Sequence, residues 1–137
     1  MATDDVVVRI TTDEDIVTAR QQGRRLSAEL GFSSTDLTLI ATAISEVARN
    51  IRLYAGEGDV QLKLVREGDR EGILVVARDR GPGIKDVDLA MQDGYSSKGS
   101  SGLGLPGARR LMDDFEIRSR PGRGVTVKMK KWTPGGG

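Results

Sequence analysis

Thr42-Ala43-Ile44-Ser45-Glu46-Val47-Ala48-Arg49-Asn50-Ile51 carries two patterns at once. Around it, Leu37, Ile40, Ile44, Val47, Ile51 and Tyr54 recur at alternating three- and four-residue steps. That spacing predicts an amphipathic helix, starting near Ser34 to Asp36 and closed by Gly56 and Gly58. Glu46 and Asn50 are four residues apart, so they share a face, one turn apart, beside the apolar stripe. A carboxylate and a carboxamide at the margin of a core face can point into a cleft. An amide oxygen is a hard ligand that suits Mg²⁺. A carboxylate one turn away can take a proton or orient an attacking group. Taken alone, the pair is a weak signal and reads more readily as a solvated glutamate and an incidental asparagine.

Before this helix, Val6 to Ile10 reads as a strand. Thr11 and Thr12 suit an N-cap, and Asp13, Glu14 and Asp15 suit a first helical turn. The helix they open is expected to run to about Gly31, with Ile16, Val17, Ala19, Leu26 and Leu30 on its apolar face. After the central helix, Val60 to Val65 and Ile73 to Ala77 read as a hairpin around the polar turn Glu67 to Gly72. Asp86 to Met91 reads as a short helix. Leu103 to Asp114 reads as a longer one, with Pro106 in its first turn, where a missing N–H costs least. Phe115 to Arg120, a Pro121 to Gly124 turn and Val125 to Trp132 form a last hairpin. Helices that precede and interrupt hairpin-paired strands predict the α+β class: a two-layer α/β sandwich with a mixed, mostly antiparallel sheet covered by helices on one face. One domain over residues 1–132 is expected, with 133–137 a tail of no fixed structure.

Composition narrows the chemistry. Of 137 residues, 21 are Lys or Arg and 20 are Asp or Glu, a near-neutral balance that recommends neither nucleic acid nor an anionic membrane as partner. There is no cysteine and no histidine. Disulfides, thiolate metal sites, cysteine nucleophiles and a phosphohistidine on this chain are therefore excluded. What remains is carboxylates, amides, Lys/Arg and backbone groups. No apolar run is long enough to span a bilayer and Met1 to Asp5 shows no signal-peptide pattern, so a cytoplasmic location is expected.

Two more segments bear on function. Asp79-Arg80-Gly81-Pro82-Gly83 follows a buried-looking strand. An ionised Asp only accepts hydrogen bonds, so it can receive the amino hydrogens of adenine. Gly81 and Gly83 would let the backbone approach a flat ring where a Cβ would clash. By itself the segment also reads as a plain turn. Gly102-Leu103-Gly104-Leu105-Pro106-Gly107 opens a helix, where free N–H groups make an anion site. It matches GxGxxG, but a Gly/Ser loop precedes it and the downstream region, with Lys128, Lys130 and Lys131, is basic. The dinucleotide fingerprint needs a preceding strand and a later acid, so that reading fails. No Walker loop occurs either.

Together these three segments resemble the N, G1 and G2 boxes of the gyrase–Hsp90–histidine-kinase–MutL ATPases, whose fold is the Bergerat fold. The resemblance spans about Val6 to Trp132. Thr42 to Ile51, Leu53 to Gly56, Gly104 to Gly107 and Arg110 to Asp113 resemble most the switch serine/threonine kinases of the stressosome. That resemblance implies ATP and Mg²⁺ as cofactors and a STAS-domain protein as phosphoacceptor. It further implies activation of a PP2C-type phosphatase once the kinase is released. It implies Asn50 as Mg²⁺ ligand, Glu46 as base and Asp79 as adenine acceptor, with Gly81 and Gly83 lining the adenine. Gly102, Leu103, Gly104, Leu105 and Gly107 would line the phosphates. Residues 94–101 would be a lid, with Lys98 reaching the γ-phosphate. The alternatives on the same fold are an anti-sigma factor kinase that sequesters an RNA polymerase sigma factor, and a non-catalytic nucleotide-gated binding module. One departure is visible. The superfamily often has Thr directly after the glycine of the last hairpin turn, and here that position is Val125. Thr126 follows and should face the other side of the sheet.

Overall fold

A computed structural model describes residues 5–81, 104–120 and 122–134. The elements run β1 (Val6–Ile10), α1 (Asp13–Ser27), α2 (Ser34–Tyr54), β2 (Gly58–Glu67), β3 (Arg70–Asp79), α3 (Gly104–Leu111), β4 (Asp114–Arg120) and β5 (Gly124–Trp132). The strands form one sheet in the order β1-β2-β3-β5-β4, antiparallel at each pairing. The predicted short helix at Asp86 to Met91 lies outside the described residues.

α1 starts where its sequence says it should. Oδ2 of Asp15 accepts from the backbone N–H of Thr11 at 2.9 Å and of Thr12 at 3.0 Å, satisfying donors that precede the first turn. The helix stops at Ser27, not near Gly31. Ala28 is its cap in right-handed helical conformation, and two tight turns follow, Glu29 N–H to Leu26 and Leu30 N–H to Ser27. Gly31 has no positive φ, so it does not serve as the left-handed cap. Val17, expected on the apolar face, is 41% exposed.

α2 is the central element. Ser33 caps it through a hydrogen bond from Asp36 N–H, and Ile40, Ile44, Val47 and Ile51 are buried against the sheet layer. Its end is a Schellman-type closure. Ala55 and Gly56 N–H both donate to Ile51 at 2.9 Å, with Gly56 at φ +83. The sheet contributes alternate residues to the same core: Val8 and Ile10, Val60 and Leu62, Ile73, Val75 and Ala77, Val125, Val127 and Met129. Burying each large aliphatic side chain stabilises the fold by about 1.5–3 kcal/mol. Leu105 and Ala108 of α3 join this cluster.

The intervening residues of the strands point to the opposite face of the sheet, which no described helix covers. Gln61, Lys63, Leu74, Val76, Arg78, Thr126 and Lys128 line a shallow trough there. The helices thus cover one face, as expected from the strand pattern. Thr133, expected to begin the tail, is held to the fold: its N–H and hydroxyl both donate to the Glu71 carbonyl, at 2.8 and 3.1 Å. Among the described residues, no helix is long and apolar enough to cross a membrane.

Candidate nucleotide site

Glu46 and Asn50 sit in the C-terminal half of α2. Four residues at about 1.5 Å rise place them about 6 Å apart along the axis. Glu46 is only 8% exposed, and no described residue donates a hydrogen bond to it. Among the described residues only the Ser27 hydroxyl is a fully enclosed side-chain polar atom without a partner, so the Glu46 carboxylate keeps access to solvent at the edge of the core. Asn50 is half-buried.

Asp79 is the last residue of β3 and is also 8% exposed. Its Oδ1 accepts from Gly81 N–H at 2.9 Å and from Val125 N–H at 3.1 Å. Among the described residues, only Oδ1 takes donors, and Oδ2 is left for another group. One carboxylate oxygen therefore fixes the side chain and the other is presented. A carboxylate anchored in this way can accept from a donor in one fixed direction.

The fold gives its own reason for a glycine at 81. A Cβ there would sit 2.6 Å from Ala55 Cβ and 2.9 Å from Ala55 Cα, so it would strike the end of α2. Gly81 is small so that the Asp79 loop can close on the protein. This contact also joins the first two motifs. Ala55 lies five residues beyond Asn50, about 7–8 Å along the helix.

α3 opens at Gly104, whose φ of +44 turns the chain into the helix, and its first turn is buried through Leu105, Pro106 and Gly107. Pro106 has no N–H, so the free donors of this turn are those of Gly104, Leu105 and Gly107. α3 packs on α2, which brings this helix start to the layer that carries Glu46 and Asn50. Gly83, Lys98, Gly102, Leu103 and the expected lid at 94–101 lie outside the described residues.

Three contributors were not singled out as site residues. Val125 supplies a backbone N–H, and a backbone donor leaves no mark on residue type. Gly124 has φ +99, and a Cβ there would lie 2.1 Å from the Asp79 carbonyl. Gly58 pairs with Asp79 in register, and a Cβ there would meet the Arg78 carbonyl at 2.2 Å. The only available sequence signal for the last two was a glycine at a strand start. Val125 is buried in the core and Thr126 lines the open face opposite Arg78, as the alternation of the strand requires.

Asn50 would be the protein's ligand to Mg²⁺, since an amide oxygen is a hard donor. Among the described residues no three acidic side chains gather into a cage. A dication would take one protein ligand, the Asn50 oxygen, and complete its shell with phosphate oxygens and water, which is the coordination Mg²⁺ favours. The unpartnered Glu46 carboxylate one turn away adds negative charge on the same flank.

Comparisons with known proteins identify the family. Residues 10–131 match the histidine kinase-like ATPase domain family. The chain is 48% identical over 129 residues to the serine/threonine-protein kinase RsbT of Bacillus subtilis, covering 94% of this chain and 97% of that one. It is 36% identical over 110 residues to an anti-sigma F factor of Clostridium kluyveri, covering 76% of each. In fold it resembles the mycobacterial sensor histidine kinase MprB, with a TM-score of 0.55, 19% identity and coverage of 96% and 97%. It likewise resembles the catalytic domain of the histidine kinase ThkA, with a TM-score of 0.53, 15% identity and coverage of 96% and 95%. Matched over nearly its whole length, the chain belongs to the histidine kinase-like ATPase family, in its RsbT-type branch of serine/threonine protein kinases.

Proposed function

We propose that this chain uses Mg-ATP to phosphorylate a serine or threonine on a STAS-domain antagonist protein in the cytoplasm. On release from that protein it activates a PP2C-type phosphatase by binding it. The observation that carries the kinase chemistry is Glu46: a carboxylate 8% exposed, without a donor among the described residues, one turn from a half-buried carboxamide.

Asp79 selects adenine by accepting the exocyclic amino group on Oδ2, while Gly81 and Val125 hold Oδ1. Guanine, with a carbonyl at that place, meets a carboxylate and is rejected. The N–H groups of Gly104, Leu105 and Gly107 face the phosphates, with Gly102, Leu103 and Lys98 completing the anion cradle and Gly83 the adenine wall. Mg²⁺ held by Asn50 would neutralise phosphate charge, which is most of what phosphoryl transfer requires. Glu46 orients the acceptor hydroxyl and takes its proton as the new O–P bond forms and the bond from the γ-phosphorus to the bridging oxygen of ADP breaks.

The second reading, an anti-sigma factor, is favoured by the relatives named anti-sigma F factor, which reach 36% identity. The 48% identity to RsbT over 97% of that protein supports the switch-kinase reading more strongly. The test is to incubate the chain with labelled ATP and purified STAS proteins, and separately to measure binding to a PP2C-type phosphatase and to a sigma factor. Label on the STAS protein with phosphatase binding is the expected result. Tight sigma-factor binding without phosphatase binding would establish the second reading. Glu46→Ala should abolish labelling. If labelling never occurs yet both proteins keep their partners, the chain is a nucleotide-gated binder and not a kinase.

A further inference from the structure

We infer that Arg52 is a positioning residue for the nucleotide cleft, holding from behind the wall on which the Asp79 loop rests. This rests on the nucleotide-binding reading above. Arg52 lies in the last turn of α2, with its side chain about one-third exposed. Its Nη1 donates to the Gly56 carbonyl and its Nε to Asp13 Oδ1 at 3.3 Å, so it ties the end of α2 to the start of α1.

The segment it grips is the back of the site. Ala55 touches the place a Gly81 side chain would fill, and Gly58 is packed against the Arg78 carbonyl and Asp79 Cα. Residues 55–58 are therefore wedged between α2 and both flanks of Asp79. A shift of this wall moves Gly81, and with it one of the two donors that aim Asp79.

Helix capping alone does not account for the guanidinium. The backbone N–H groups of Ala55 and Gly56 already close α2 onto Ile51. The ion pair with Asp13, whose side chain is 86% exposed, contributes little in water. What remains is the partly buried bond to the Gly56 carbonyl, a charge-assisted bond of the stronger kind. It fixes a residue whose left-handed φ of +83 sets the direction of the loop.

The experiment is calorimetric titration of the full chain with Mg-ATP and with Mg-GTP. The variants are Arg52→Ala, Arg52→Lys, Asp13→Ala and Ile73→Val. Ile73 is buried at the far end of β3 and serves as a control for general destabilisation. Arg52→Ala should weaken ATP about tenfold, the value of one charge-assisted hydrogen bond, and narrow the preference for ATP over GTP. Arg52→Lys, which still reaches the Gly56 carbonyl, should recover most of the loss. Asp13→Ala and Ile73→Val should bind ATP within about twofold of wild type. Arg52→Ala binding like wild type or like the Ile73 control, or weakened with the ATP-to-GTP ratio unchanged, overturns the inference. Wild type that fails to bind ATP removes the nucleotide reading itself and this inference with it.

Discussion

The backbone N–H of Val125 donates to Oδ1 of Asp79 at 3.1 Å, across 46 residues of chain. The bond ties the last hairpin to the end of β3 and, with Gly81 N–H at 2.9 Å, leaves one oxygen of the carboxylate to face a ligand. On the proposed reading, selectivity for adenine would be built partly from a residue that never touches the nucleotide.

Gly124 makes that bond possible. Its φ of +99 and the 2.1 Å approach of an added Cβ to the Asp79 carbonyl leave no room for a side chain. Gly124→Ala should destabilise the fold by about 2–4 kcal/mol, from left-handed strain plus a backbone clash. Urea unfolding measures the loss, and nucleotide titration should show ATP affinity falling with it. Unchanged stability would mean the hairpin relaxes away from Asp79 freely.

Ser27 is fully buried, and its hydroxyl has no hydrogen-bond partner among the described residues. Removing an unpaired buried hydroxyl relieves a desolvation cost at little loss of packing. Ser27→Ala should be neutral or stabilising by about 1 kcal/mol, read from the urea midpoint. A clear destabilisation would show that the hydroxyl does bond in solution.

Asp15 should make α1 acid-sensitive. Its carboxyl lies below the ordinary aspartate range, chiefly because the backbone N–H of Thr11 and then that of Thr12 donate to the charged form. A lowered folded-state pKa gives stability that is present above the unfolded value and lost as pH falls through the folded one. Stability should therefore decline in acid below the usual aspartate range, and Asp15→Asn should flatten part of that decline. Denaturant midpoints across acidic pH check this. Identical profiles for the two proteins would remove Asp15 from the account.

Much of this was readable from residues. The 3.6-residue stripe of α2 places Glu46 and Asn50 on one flank, and alternation in β2, β3 and β5 identifies the core side, including Val125 in and Thr126 out. The class and the five strands follow from the same periodicities. What escaped has a common cause. The end of α1 at Ser27 is set by tight turns into Phe32 and its packing, not by Gly31. A steric need for glycine at 81 lies in Ala55, twenty-six residues earlier, and the second donor to Asp79 is a backbone group. Long-range contacts and main-chain donors carry no residue signature, so only the folded chain displays them.

The central claim is that Asp79 reads adenine with one oxygen while the protein holds the other, and Asp79→Asn tests it most directly. An asparagine has a single acceptor oxygen. Turned toward Gly81 and Val125, it presents an NH₂ to adenine's own amino group; turned the other way, it leaves two backbone donors facing a donor. Calorimetry of the variant with Mg-ATP should show binding weakened roughly 10- to 100-fold, with the fold intact by circular dichroism. ATP bound as tightly as by the wild type would contradict the account.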